Sequence, residues 1–185
     1  MRKLPVLLII TFLSITNLIK AQNIDFGIKG GLNISNITGG DADRNNLFNF
    51  HVGSFAEIEL NKKLSIQPEL LYTRQGSEVE NTLKIKIDYL AIPILVKYYF
   101  YEKLSLEVGP QMSFLVNDKI EFIDSSLPDA DTDASSFDFG LSLGVGSNLT
   151  SNILLQARYY YGITTISENP DVKNSVFQIS LGYKF

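Results

Sequence analysis

From Asp25 to the end of the chain, large apolar residues recur at every second position, the period of a β-strand with two unlike faces. Phe177, Ile179, Leu181, Tyr183 and Phe185 share one face of the last segment, and Gln178, Ser180, Gly182 and Lys184 share the other. Ile153, Leu155, Ala157, Tyr159 and Tyr161 alternate with Gln156, Arg158, Tyr160 and Gly162. Phe137, Phe139, Leu141, Leu143 and Val145 alternate with Asp138, Gly140, Ser142, Gly144 and Gly146. Leu104, Leu106, Val108, Met112 and Phe114 oppose Ser105, Glu107, Gly109, Gln111 and Ser113.

The first half repeats the design less regularly. Phe26, Ile28, Leu32 and Ile34 alternate with Asp25, Gly27, Lys29, Gly31 and Asn33, and Phe50, Val52, Ala56, Ile58 and Leu60 with His51, Gly53, Glu57 and Glu59. Leu64, Ile66, Leu70 and Tyr72 oppose Ser65, Gln67, Glu69 and Thr73. The run Leu90 to Val96 is nearly all apolar; placing Leu90, Ile92, Ile94, Val96, Tyr98 and Phe100 on one face leaves Lys97 on the other. The pattern predicts eight strands of about 10–14 residues.

Residue size decides which face is inside. The polar face is rich in Gly and Ser, which suit the crowded lumen of an eight-stranded barrel, and the other face carries the bulky residues. Tight connections at 61–63, 101–103 and 150–152 alternate with longer ones at about 37–48, 76–84, 117–136 and 167–174. These features predict an all-β, eight-stranded antiparallel up-and-down transmembrane barrel with short periplasmic turns and longer extracellular loops. Closure is required, because lipid offers no partner to an open sheet edge. Tyr98, Phe100, Tyr183 and Phe185 fall at the periplasmic end of the outward face, and Phe50, Tyr72, Phe114, Phe137 and Tyr161 at the loop end, as two aromatic girdles would. A soluble lipocalin-like carrier with apolar residues inward is the competing architecture.

Composition then narrows the chemistry. The N-terminus carries Arg2 and Lys3, the apolar run Leu4 to Leu13 and Ala21 before Gln22, so residues 1–21 read as a cleaved secretory signal peptide and 22–185 as one barrel domain. Its removal takes three cations and no acid, moving the net charge from −4 to −7. Nucleic acid is therefore not an expected partner. The 185 residues contain no Cys and one His, His51, which excludes disulfides, thiol nucleophiles and Cys-ligated metals; no cofactor is expected.

The mature chain resembles the PorT-like outer-membrane β-barrel proteins of Bacteroidetes. The resemblance rests on Gly27-Ile28-Lys29-Gly30-Gly31-Leu32-Asn33-Ile34-Ser35, Gln67-Pro68-Glu69-Leu70-Leu71-Tyr72 with Gln75-Gly76, Tyr89-Leu90-Ala91-Ile92-Pro93-Ile94-Leu95-Val96-Lys97-Tyr98 and Gly109-Pro110-Gln111. It implies an eight-stranded barrel in the bacterial outer membrane, and it supplies no catalytic motif. The family's namesake is associated with protein secretion, which makes an interaction or secretion-accessory role the expectation. A terminal aromatic on the last strand, here Tyr183 and Phe185, looks like the signal read by the barrel assembly machinery.

The polar face carries a balanced set of charges, Glu57, Glu59, Glu69 and Glu107 against Lys29, Lys97, Arg158 and Lys184, all nearer the periplasmic ends. They are expected to form a lumen network that fills the barrel and fixes register. Lys97 and Glu107 are equidistant from Glu102, so a hairpin centred there places them opposite each other. Pro68, Pro93 and Pro110 each remove a ladder donor and predict bulges or local breaks. Asp129, Asp131 and Asp133, with Asp118, Glu121 and Asp124 nearby, open like a calcium loop, but Ala134 and Gly140 stand where its glycine and glutamate belong, so no metal site is expected.

The leading expectation is a non-enzymatic barrel. It would contact outer-membrane lipid, the assembly machinery and protein partners at its loops or periplasmic rim. The alternative, a lipid-modifying barrel enzyme, requires His51 beside a hydroxyl nucleophile and an orienting acid, and no motif identifies either.

Overall fold

A computed structural model describes residues 23–40, 44–79, 82–123, 132, 134–168 and 171–185. The signal-peptide reading of 1–21 and the acidic residues Asp124, Asp129, Asp131 and Asp133 lie outside the described residues. Among the described residues nine strands follow one another: β1 (Ile24–Thr38), β2 (Arg44–Asn61), β3 (Leu64–Val79), β4 (Leu83–Tyr101), β5 (Leu104–Phe122), β6 (Phe137–Asn148), β7 (Ile153–Gly162), β8 (Ser167–Glu168) and β9 (Asp171–Lys184). Eight form one ring, β1 through β7 and then β9, which pairs back onto β1; every pairing is antiparallel. The two-residue β8 lies outside the ring and pairs only with the start of β9.

The polarity of the ring is inverted relative to a soluble core. Leu32, Val108, Leu143, Leu181 and Phe26 face outward at 50–63% exposure, whereas Lys97, Glu107, Gln67 and Ser142 point inward at 0%. That distribution excludes the lipocalin-like carrier, because each outward apolar side chain gains only when lipid covers it. Glycine makes the interior fit. A Cβ at Gly53 would lie 2.0 Å from the Leu70 carbonyl oxygen, and one at Gly109 would lie 2.0 Å from that of Ile94, so Leu71 and Leu95 can occupy the lumen.

The strands overshoot the membrane. About 10 residues span the hydrocarbon in a tilted barrel strand, but β2 has 18 residues and β4 and β5 have 19 each. The expected loops at 37–48, 76–84 and 117–136 are therefore shorter than proposed, since residues 44–48, 76–79, 83–84 and 117–122 continue the sheet. The physical reason is that polarity reverses where the wall leaves lipid. On β4 the outward side chains change from Leu90, Ile92 and Ile94 to Lys84, Lys86 and Asp88. The inward ones become apolar, and Ile37, Ile87, Tyr89, Ile166 and Val172 pack into a cluster that caps the lumen. On β5 a register shift at Asp88/Tyr89 exchanges the faces, so Asp118 and Ile120 fall in register with Ile87 and Ile85.

Of the expected bulges or local breaks, the prolines make local breaks. Paired positions skip residues 67 and 68 between β3 and β2, 92 and 93 between β4 and β3, and 109 and 110 between β5 and β4, with no change of register. The register shifts fall at Asn46/His51, Glu59/Asn61, Asp88/Tyr89 and Tyr99/Tyr101 instead. Each proline thus costs ladder bonds without inserting a residue.

Candidate functional site

The lower lumen is held by charges that alternation projects inward from seven strands. Glu69 on β3 is the centre: Lys29 Nζ from β1 donates to both of its oxygens at 3.1 Å, and Arg158 from β7 grips it with two nitrogens at 2.8 and 3.0 Å. Gln67 Nε2 adds a bond at 2.6 Å. Glu107 on β5 accepts Gln156 Nε2 at 2.8 Å on each oxygen and lies 3.5 Å from Arg158 and 3.8 Å from Lys97. Lys97 stands opposite Glu107 in the β4–β5 register. Glu57 on β2 pairs with Lys97 at 3.1 Å and Lys184 at 2.6 Å, and the Tyr99 hydroxyl donates to it.

Glu59 stands apart from this assembly. It is exposed at the periplasmic rim, and Asn23 Nδ2 donates to it at 3.4 Å. The balancing acid is Asp25, 3.5 Å from Lys184. Four cations, Lys29, Lys97, Arg158 and Lys184, then meet four acids, Glu57, Glu69, Glu107 and Asp25. Alternation alone could not separate Glu59 from Asp25, because both occupy polar-face positions near a strand end. The neutral members Gln67, Gln156 and Tyr99 were also legible only as polar-face residues.

Higher in the lumen His51 sits between two partners. Its Nδ1 lies 2.8 Å from Asn33 Oδ1 and its Nε2 lies 2.7 Å from Ser180 Oγ. Asn33 Nδ2 donates to Thr73 Oγ1 at 2.9 Å and to the Arg74 carbonyl at 2.7 Å, which leaves Oδ1 as the acceptor facing His51. The ring therefore donates from Nδ1 and accepts the Ser180 proton at Nε2, the connectivity of nucleophile, base and orienting group. All three residues are buried, at 0–4% exposure. A Cβ at Gly31 would meet His51 Cε1 at 2.8 Å, so the ring is packed against backbone with no room for an ester on that side. Above it Asp138 accepts from Tyr160 and Asn174 at 2.9 and 2.8 Å and from Thr164 at 2.8 Å, beneath the apolar cap.

Beyond the membrane, Asp118 receives the Thr132 amide at 3.0 Å, the Thr132 hydroxyl, and the Ala134 amide at 3.3 Å. Partial burial pushes this carboxyl up, but the Thr132 and Ala134 donors outweigh it and hold the group below the ordinary aspartate value of 3.8. Glu121 pairs with Lys86 at 2.5 Å, whose hydrogen bond holds its carboxyl low against partial burial. Among the described residues no cluster of three or more His, Asp or Glu side chains could hold a metal.

A closed ring, lipid-facing leucines and a lumen packed with paired charges define an integral outer-membrane β-barrel. Residues 20–168 match the outer membrane protein beta-barrel domain family, and the chain belongs to that family. It is located in the outer membrane accordingly. Solved structures of the same fold include Neisserial surface protein A, 16% identical over 88% of this chain and 99% of that one, with a TM-score of 0.63. Ail, the attachment invasion locus protein of Yersinia pestis, solved with the heparin analogue sucrose octasulfate, is 19% identical over 88% of this chain and 99% of its own, with a TM-score of 0.55. No curated protein sequence matches the chain.

Proposed function

We propose that the protein is a non-enzymatic, non-conducting outer-membrane barrel that presents its tall extracellular wall, loops and periplasmic rim to protein partners, as a PorT-like protein of Bacteroidetes would. The observation that carries this is the lumen: Lys97, Glu107, Glu69 and Arg158 are 0–3% exposed and bonded to one another across the ring. Water-filled passage would require opening ion pairs that lie in a space just wide enough for their side chains. Residues 1–21 act as the cleaved export signal. The exposed rings of Tyr183 and Phe185, 5.8 Å apart at the lipid face of β9, are offered to the barrel assembly machinery.

Planar-bilayer recording tests the closed lumen: the purified barrel is expected to give no discrete conductance steps, and reproducible steps would refute it. Crosslinking in native outer membranes tests the scaffold role, which predicts protein adducts from residues above the belt; adducts to lipid alone would refute it. A second reading, a lipid-modifying enzyme, is favoured only by the Ser180–His51–Asn33 chain of hydrogen bonds. It predicts loss of lipid turnover in His51→Ala, where the scaffold reading predicts no turnover in either protein.

A further inference from the structure

Above the apolar cap the mouth of the barrel holds a pocket of about 170 Å³. Ile37, Ile85, Ile87, Ile120 and Ile166 line it together with Arg44. Its walls come mainly from the extracellular ends of β1, β2, β4, β5 and β9. Isoleucine is stiff at χ1, so five such side chains leave a space that they do not fold in to fill. Ile37, Ile87 and Ile166 also belong to the cap, where Tyr89 is 0% exposed, and the pocket therefore ends blindly above the lumen. What enters is held there rather than passed through the ring.

Among the lining residues Arg44 alone is charged. Its Nη1 donates to the carbonyls of Ile37 and Gly39, which are neutral acceptors. Its Nε is buried without a hydrogen-bond partner, and no acid among the described residues pairs with it. The other two described arginines, Arg74 and Arg158, each grip a carboxylate, at 2.6 and 2.8 Å. Asp118, in register with Ile87, accepts instead from Thr132 and Ala134 in the pocket wall. Arg44 thus carries a charge without a counter-ion and a donor without an acceptor, and a carboxylate supplies both.

We infer that this pocket binds a small organic carboxylate with a compact apolar body, its oxygens on the Arg44 guanidinium and its apolar part among the isoleucines. An aliphatic cavity of about 150 Å³ holds benzene, so a body of about six to eight carbons fits. Covering the partly exposed Ile85 and Ile120 removes apolar surface from water. An acyl chain of membrane-lipid length would meet the cap, which excludes a bilayer lipid as the occupant.

The test is methyl NMR of the isoleucine-labelled barrel in phosphatidylcholine nanodiscs, titrated with benzoate, benzamide and acetate. Benzoate is expected to shift the Ile85, Ile87 and Ile120 methyl signals saturably and to leave those of Ile92 and Ile94 in place. Benzamide keeps the ring without the charge, and acetate keeps the charge without the ring; each is expected to bind at least about tenfold more weakly. Arg44→Gln is expected to weaken benzoate by the same factor. Heat-modifiable migration reports whether that variant folds, and the comparison of benzoate with benzamide on the native barrel decides the question if it does not. Benzamide binding as tightly as benzoate, or a folded Arg44→Gln barrel with native affinity, would overturn the role given to Arg44. Acetate matching benzoate would overturn the apolar half of the assignment, and no saturable shift with benzoate would overturn the site.

Discussion

Replacing Glu69 by Gln keeps the side-chain volume and one acceptor while removing the charge that Lys29 and Arg158 share. The three groups meet at 2.8–3.1 Å with side chains at most 2% exposed. Deleting one partner of a buried pair costs about 3–5 kcal/mol because the survivors keep an uncompensated charge. Gln156 at 2.7 Å still serves Lys29, and Glu107 at 3.5 Å still serves Arg158, so the lower end, about 3 kcal/mol, is expected. With a urea slope of ~3 kcal/mol/M the unfolding midpoint in lipid vesicles falls by about 1 M. Adding Lys29→Met removes the orphaned cation and recovers part of the loss, a coupling read by the double-mutant cycle. Glu59→Gln, at the exposed rim, is expected to shift the midpoint hardly at all. If Glu69→Gln unfolds with the same midpoint as Glu59→Gln, the paired lumen is not what stabilises the barrel.

Other expectations are separable from this one. Gly53→Ala and Gly109→Ala force a Cβ to within 2.0 Å of backbone oxygens and should destabilise by about 1–3 kcal/mol in the same assay, whereas Gly30→Ala, with its nearest neighbour at 3.5 Å, should be tolerated. His51→Ala leaves Asn33 and Ser180 without their shared partner and should cost about 1–3 kcal/mol, with no loss at all contradicting the inferred bonds. Asp118 binds protons less readily folded than unfolded, so its hold on Thr132 persists above the ordinary aspartate value of 3.8 and is lost as pH falls through its lower folded value. The amide resonances of Thr132 and Ala134 should titrate there and lose that titration in Asp118→Asn; titration near neutral pH would contradict it.

The eight-strand ring was legible because lipid enforces one rule on one face: Phe177 to Phe185 can alternate only one way. The hairpin register was legible too, since a turn at Glu102 places Lys97 against Glu107. What alternation could not reveal is where the membrane ends. Lys84, Lys86, Ile85 and Ile87 still alternate, but with the polarity of a wall in water, and that reversal imitates a loop. Asp25 and Glu59 both fall on the polar face near a strand end, and only the three-dimensional reach of Lys184 distinguishes them. The Ser180–His51–Asn33 contact joins β9, β2 and β1, so its detection needed the closed ring.

The central claim is a barrel that is apolar outward in lipid, polar and filled within, and reversed above the membrane. The absence of native cysteine allows single-cysteine spin labels to be placed along β4. Labels at Ile92 and Ile94 should collide with oxygen in the lipid and be shielded from an aqueous nickel chelate. A label at Lys84 should show the opposite, and one at Leu95, which is 0% exposed, should meet neither reagent. Nickel access at Leu95 would reveal an open aqueous lumen, and nickel access at Ile94 would place the belt in water; either result contradicts the account.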